Sequence, residues 1–430
     1  MPSSVQPVQL SANSKNIKAN YLFPFILVTS LFFFWGFVHN LDPVLMPHLK
    51  KTFRLNYVQT SLVDFSVFIA YFAMALPAGF VMRKYGFKAG IILGLCLFAL
   101  GCFLFLPAAD TNQYAFFLGA LFIVACGLTF LETAANPYAT ILGDPATSTQ
   151  RLNFAQSFNG LAVVLAPIIG GSLILSGTEY TRAQMDAMPA TDLAIYLQSE
   201  ADRVKTPYLT LGIIILIIAA IFFFTKLPDS KDDSEAGSGF AKILKFFHLR
   251  GAVIAQFFYV GAQVCVASYF INVVRNAVGM DEKTAKDYLG YGYGIAFVAG
   301  RFAGTFLMKF FPPQRLLAIY ALINIVLSVL VIFSHGMIVV YALIAISFFM
   351  SIMFPTIFAL GIKNLNTTDT KMGSSLIIMA IVGGALLPLL LGQIADVTDN
   401  IQYGYIVPLI CFAVVAWYGF IGYKVKDAAA

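Results

Sequence analysis

From Tyr21 onward the chain alternates long apolar runs with short polar interruptions. A membrane crossing needs about 20 apolar residues. Twelve runs qualify: 22–49, 57–82, 87–107, 113–141, 153–176, 206–226, 250–277, 286–310, 314–334, 337–363, 372–396 and 403–424. The longest polar interruption near the middle, Pro228 to Gly239, leaves six runs on either side. A second polar insert, Gly177 to Thr206, reads as a loop with a short amphipathic helix. The pattern predicts an all-α membrane protein of twelve transmembrane helices in two six-helix halves. Its segments are an N-terminal tail (1–21), a first bundle (22–226), a linker (227–249), a second bundle (250–424) and a short tail (425–430).

Composition agrees with that reading. Only 11% of the 430 residues are charged and 59% are hydrophobic, where a soluble domain carries about 25% charged residues. The net charge of +6 is small for the length. No Lys/Arg cluster interleaves with aromatics, which argues against nucleic acid as a partner. The five cysteines (Cys96, Cys102, Cys126, Cys265 and Cys411) fall in apolar runs without metal-ligand spacing, as small hydrophobic residues would. Residues 1–20 are polar and lack the apolar core of a removable signal peptide. No nucleophile–base pair, metal cluster or phosphate loop points to an enzyme, and the Gly290-Tyr-Gly-Tyr-Gly294 run reads as helix packing in span 8. No cofactor is expected.

Basic residues give the orientation, because cytoplasmic loops carry an excess of Lys and Arg. With the N-terminus inside, seventeen of the 27 basic residues fall on the inner side and nine on the outer side, with Arg301 within span 8. Both termini are expected in the cytoplasm. An internal echo accompanies the six-plus-six plan. Gly79-Phe-Val-Met-Arg-Lys-Tyr-Gly86 ends span 2, and Gly304-Thr-Phe-Leu-Met-Lys-Phe-Phe311 ends span 8. Each places a small residue at a close helix approach and basic residues at the inner edge. Together these features resemble the major facilitator superfamily, although Arg83 stands where that superfamily's loop motif has an acid.

Four ionisable groups look well embedded, away from the ends of the predicted spans: Asp42, Asp64, Glu132 and Arg301. Lipid cannot solvate them, so each must face a cavity or a partner. Glu132 shares a helix face with Asn136 at i+4 and Thr129 at i−3. Asn136-Pro137 is expected to break the helix there, because proline removes a backbone donor. An acid beside a loosened turn suits a proton or substrate site. The plainer alternative is a protonated acid hydrogen-bonded between helices.

Asp42 lies in Asn40-Leu-Asp-Pro43, where Pro43 and Pro47 predict a kinked span 1 of the kind from which transporters build sites. It would otherwise cap a helix end near water. Asp64 reads as an outer-vestibule or structural acid, paired with Lys50 or Arg54. Arg301 reads as an inter-helix or gate residue before a substrate contact.

Two polar stripes interrupt otherwise apolar helices. Span 5 carries Asn153, Gln156 and Asn159 at i, i+3 and i+6, and span 7 carries Gln256, Tyr259 and Gln263 at i, i+3 and i+7. Amides glue membrane helices together. Stripes in both halves also suit a cavity lined by neutral donors and acceptors, the chemistry that sugar hydroxyls need. Trp35, Phe34, Phe130, Tyr259, Tyr269 and Phe354 are candidates to cover the apolar face of a sugar ring.

At these residues a closer resemblance emerges. Leu131-Glu-Thr-Ala-Ala-Asn-Pro-Tyr138, Arg151-Leu-Asn-Phe-Ala-Gln-Ser-Phe-Asn159, Thr206-Pro-Tyr208, Val260-Gly-Ala-Gln263 and Phe354-Pro-Thr-Ile-Phe-Ala-Leu-Gly-Ile-Lys-Asn364 resemble the L-fucose:proton symporter family, over nearly the whole chain from about Pro24 to Phe412. The resemblance implies a rocker-switch fold with a central cavity and sugar uptake coupled to a proton. It assigns proton coupling to Glu132 and to a span 1 acid, here Asp42. It assigns the cavity lining to Gln156 and Asn159. Span 1 departs from the L-fucose pattern Asn-x-Asn-Asp, since the acid stands one residue early and proline follows it. One residue is about 100° of helix rotation.

The reading is therefore secondary active symport of a neutral monosaccharide, L-fucose first, with the proton as coupling ion. Glu132 and Asp42 are the coupling acids. Asn40, Asn136, Gln156, Asn159, Tyr259, Gln263 and Phe354 are the substrate-binding candidates, with Arg301 and Asp64 as gate or structural groups. The expected partners are a small sugar and membrane lipid, and the expected working unit is a monomer in a bacterial inner membrane. The alternatives are a proton symporter for glucose, galactose or N-acetylglucosamine, a drug exporter, or a sugar sensor of the same fold.

Overall fold

The computed structural model describes residues 22–41, 45, 48–49, 52–55, 57–174, 180, 182–227 and 243–425. Helices dominate, and there are no strands among the described residues. Span 1 is Leu22–His39, span 4 is Tyr114–Ile141 and span 5 is Ser148–Ile174. Spans 6, 7 and 9 are Lys205–Phe224, Phe247–Val278 and Pro313–Phe333.

Spans 2 and 3 form the helical stretch Tyr57–Thr111, broken at Gly86 (φ 85°, ψ 171°). A left-handed φ suits glycine, which has no Cβ to clash. That residue turns one 55-residue stretch into two crossings.

Three later spans are segmented. Span 8 runs through Glu282–Asp287, the π-helical Tyr288–Gly294 and Ile295–Leu307. Span 10 joins Met337–Met350 to Met353–Gly361. Span 11 joins Thr367–Met379 to Gly383–Thr398 through a 3-10 turn. Span 12 covers Ile401–Gly422. Among the described residues, ten helical stretches are long and apolar enough to cross a membrane. The break at Gly86 and the composite span 8 complete twelve.

Several boundaries move. The span 1 helix ends at His39, followed by a turn at Asn40–Leu41. The kink expected from Pro43 and Pro47 lies outside the described residues, as do the tail 1–21, residues 228–242 of the linker and the last five residues. Span 5 begins at Ser148, five residues before its apolar run, and span 11 at Thr367. Both extensions are polar first turns that are buried or half-buried against the rest of the protein. The insert before span 6 carries two helices, Arg182–Asp186 and Ala190–Asp202.

The predicted break at Asn136-Pro137 is absent: span 4 is helical through Pro137. Side-chain donors reinforce the turn, with Asn136 Nδ2 donating to the Glu132 carbonyl (2.8 Å) and Thr140 Oγ1 to that of Pro137 (2.7 Å). Local donors of this kind let membrane helices tolerate proline.

The halves meet through spans 2, 4 and 5 on one side and 8, 10 and 11 on the other. Their polar contacts gather toward the basic end of the bundle. Gln150 Nε2 donates to the Thr305 carbonyl (3.1 Å) and Asn153 Nδ2 to Thr356 Oγ1 (3.2 Å). The Lys371 ammonium sits over the Phe87 ring, 5.2 Å from its centre. The two echoed glycines do different work. A Cβ on Gly79 would lie 2.0 Å from Ser375 Oγ of the opposite half, whereas one on Gly304 would meet Ile352 within its own half. Of the glycines in the Gly290–Gly294 run, Gly292 alone packs closely against another helix: a Cβ there would lie 2.7 Å from Ile344 of span 10, whereas one on Gly290 would meet nothing within 4 Å.

Candidate functional site

Glu132 is almost enclosed, with 8% of its surface accessible. The Tyr71 hydroxyl of span 2 donates to its Oε1 at 2.5 Å. One turn along the same face, Asn136 is fully buried and accepts at Oδ1 from Gln156 Nε2 of span 5 (2.9 Å). Gln156 in turn meets Arg301 of span 8. The guanidinium Nη1 donates to the Gln156 carbonyl, and lies 3.4 Å from Gln156 Oε1 and 3.5 Å from Asn159 Oδ1. Arg301 Nε donates to the Ser351 carbonyl of span 10 (3.0 Å), and its guanidinium carbon lies 4.7 Å from the centre of the Phe297 ring. A polar line thus starts at Tyr71 and Glu132, continues through Asn136, Gln156 and Arg301, and ends at Ser351 across the seam.

Arg301 is 4% exposed, yet no carboxylate pairs with it among the described residues. Carbonyl oxygens and an aromatic face take that place. Such partners hold a cation in an apolar interior without neutralising it.

The other candidates divide by exposure. Asn159 is half-buried and packs against Gly36 of span 1. Asn40 is half-buried and returns its Nδ2 to the Gly36 carbonyl (2.7 Å), closing its own helix end. Tyr259 is fully buried, edge-on to the half-buried Phe354 with centroids 6.4 Å apart. Gln263 and Tyr269 are half-buried, and Tyr269 donates to the Pro388 carbonyl (3.2 Å). Trp35 and Phe130 are buried, and Trp35 packs on Phe32 with centroids 4.2 Å apart.

Asp64 is exposed on span 2. It shares a face with Phe68 and Tyr71 at i+4 and i+7, and Phe68 reaches Gly384 of the opposite half. Its suggested partner Arg54 pairs with Asp186 instead. Asp42 and Lys50 lie outside the described residues.

Sequence reasoning missed Tyr71, because a lone tyrosine in an aromatic-rich span carries no local signal of its acid partner. It also missed Ser351 and Phe297, which matter only through Arg301. Gln256 was read as part of a stripe. In the fold it is fully buried, and neither amide atom has a hydrogen-bond partner among the described residues.

The model of the Major Facilitator Superfamily matches residues 25–388. The chain belongs to that superfamily. Within it, the chain is 42% identical over 405 residues to the L-fucose-proton symporter of Escherichia coli, covering 92% of each protein. It is 41% identical over 409 residues to a glucose/galactose transporter of Brucella abortus, covering 94% of this chain and 95% of that one. A crystal structure of the superfamily transporter FucP in the outward conformation superimposes with a TM-score of 0.87 at 40% identity, over 94% of this chain and all of that one. Superfamily membership makes the protein an integral membrane transporter and not an enzyme, with the twelve-helix architecture described above.

Proposed function

We propose that the protein is a proton-coupled symporter of a neutral monosaccharide, with L-fucose as its sugar. The observation that carries the reading is the enclosed Glu132, tied at one oxygen to Tyr71 and through its own helix to the inter-half line ending at Arg301. The near full-length similarity to the L-fucose-proton symporter supports it.

The cycle follows from the geometry. Enclosure among apolar groups favours the neutral form of an acid. With Tyr71 on Oε1, Glu132 carries its proton on Oε2. Sugar enters from the end opposite the basic seam and binds among Asn159, Gln263, Tyr259 and Phe354, with Asn40 at the mouth. Binding draws the halves together above the sugar. The bonds of Gln150, Asn153 and Gln156 to the second half then part, water reaches Glu132, and the proton leaves with the sugar. Asn136 and Gln156 turn toward the cavity in that second state. Asp42 is the second coupling acid, and Asp64 lines the entry. No cofactor takes part; the proton is the coupling ion.

The basic end faces the cytoplasm of a bacterial inner membrane, both termini lie there, and the monomer is the working unit. In this orientation the closed seam makes the described state outward-open. Galactose or glucose is the second reading for the sugar, favoured by the displaced acid in Asn40-Leu-Asp-Pro43 and by the similarity to the glucose/galactose transporter.

Uptake of labelled L-fucose into vesicles under an imposed inward proton gradient is the test, with unlabelled hexoses as competitors and a protonophore control. Concentrative, protonophore-sensitive L-fucose uptake is expected. Uptake indifferent to the proton gradient would overturn the coupling, and stronger competition by galactose or glucose would replace the sugar.

A further inference from the structure

Away from the central line, a groove of about 430 Å³ opens on the outside of the bundle where spans 1 and 5 meet span 8. Phe25, Phe154, Phe302 and Phe306 form its walls. The last three are 40%, 39% and 54% exposed, which is surface turned toward lipid. Its polar residues lie at the basic end. Thr147 and Arg151 stand at the start of span 5, and Lys309 lies two residues past the helical end of span 8.

Arg151 spends its donors within the protein. It bonds the carbonyls of Ala139 (3.4 Å), Thr140 (2.6 Å) and Asp144 (2.5 Å) and the Thr147 hydroxyl (2.7 Å). Asp144 uses Oδ1 to cap the Ala146 amide. Arg151 therefore keeps at most one Nη2–H uncommitted and contributes mainly charge. Lys309 is exposed, stacks over Phe306 at 5.5 Å and has no carboxylate within salt-bridge distance among the described residues. It offers both charge and donors.

An apolar wall under a cationic rim at the level where helices leave the membrane matches one kind of molecule: acyl chains below, an anionic phosphodiester above. We propose that this groove binds an anionic phospholipid, with the phosphodiester on Lys309 beside Arg151 and the acyl chains along the phenylalanines. Basic pockets between helices at the cytoplasmic side recognise such headgroups. Phe25 and Phe154 belong to the first half, and Phe302, Phe306 and Lys309 to the second. The Gln150–Thr305 hydrogen bond crosses the floor between them. A lipid seated here touches both halves only while they are closed at the basic end, so it favours that state.

The test uses the purified full-length chain in nanodiscs of phosphatidylcholine alone or mixed with phosphatidylglycerol. Native mass spectrometry then reads the lipid each protein retains. Wild-type protein is expected to keep phosphatidylglycerol over phosphatidylcholine. Lys309→Ala is expected to lose about fivefold in retention, the worth of one cation at an anionic membrane surface, and Lys309→Arg to restore it. Amide hydrogen exchange over residues 148–156 should slow when phosphatidylglycerol is present, in wild type and not in Lys309→Ala. Equal retention of the two lipids, or equal retention by wild type and Lys309→Ala, would overturn the proposal. Displacement of the lipid by millimolar inorganic phosphate would do the same, since it would mark a site for a free anion. Exchange that responds to phosphatidylglycerol equally in both proteins would remove the link to closure.

Discussion

The amide stripes of spans 5 and 7 read alike along the chain and sit differently in the fold. In span 5, Asn153 and Gln156 are buried; Asn153 bonds Thr356 and Gln156 accepts from Arg301 across the seam, while Gln156 Nε2 donates to Asn136 within the first half. In span 7, Gln256 is equally buried, yet neither its oxygen nor its nitrogen finds a partner among the described residues. An unmade bond at a buried polar group costs about 1–3 kcal/mol. The first stripe therefore stabilises closure at the basic end, whereas Gln256 lowers the stability of the described state.

The largest expected effect falls on the acid that the span 5 line serves. Glu132→Gln keeps the shape and the Tyr71 contact but carries no titratable proton. Concentrative sugar uptake is expected to vanish while exchange of labelled for unlabelled sugar persists. Proton-driven accumulation at the wild-type level would refute the coupling role.

Next comes the partner that ties span 5 to the second half. Arg301→Met leaves the carbonyls of Gln156 and Ser351 without their donor, and should weaken the closed seam by about 3 kcal/mol, the upper end for bonds to a charged group. Thermal unfolding should occur at lower temperature, and the seam residues should label faster from the basic end. A seam as protected as in wild type would show that packing alone holds it.

Gln256→Leu should act in the opposite direction. It removes two unpartnered atoms and stabilises the described state by about 1–2 kcal/mol. A higher unfolding temperature with slower sugar exchange is the expected pair of results. A lower unfolding temperature would mean that Gln256 has a partner that matters.

The smallest effect is reserved for Tyr71→Phe, which deletes one hydrogen bond to Glu132 and should cost about 1 kcal/mol. Sugar affinity should be nearly unchanged, with a lower accumulation ratio. An unchanged ratio would place the Tyr71 contact outside the coupling step.

The twelve crossings were legible because lipid imposes a strong rule: every backbone polar group must be satisfied within a helix, so each crossing leaves a long apolar run. Glu132 and Arg301 were legible by the same rule, since a charge within such a run must be kept for a reason. The rule is one-dimensional and fails where a helix is polar but protected. Span 5 begins five residues before its apolar run for that reason. It fails again at Pro137, where side chains of the same helix supply hydrogen bonds that a count of backbone donors does not foresee.

Periodicity and composition by themselves determined which residues cross the membrane, which charges are expensive there and which faces are polar. Tertiary structure alone decided which of those polar groups are satisfied. Gln156 and Gln256 are the same side chain in the same kind of stripe, and only the neighbour differs. Span 8 brings a guanidinium to one, and no described residue brings a donor or acceptor to the other. A hydrogen bond needs both partners within about 3 Å, and that distance is set by how two halves far apart in sequence close on each other.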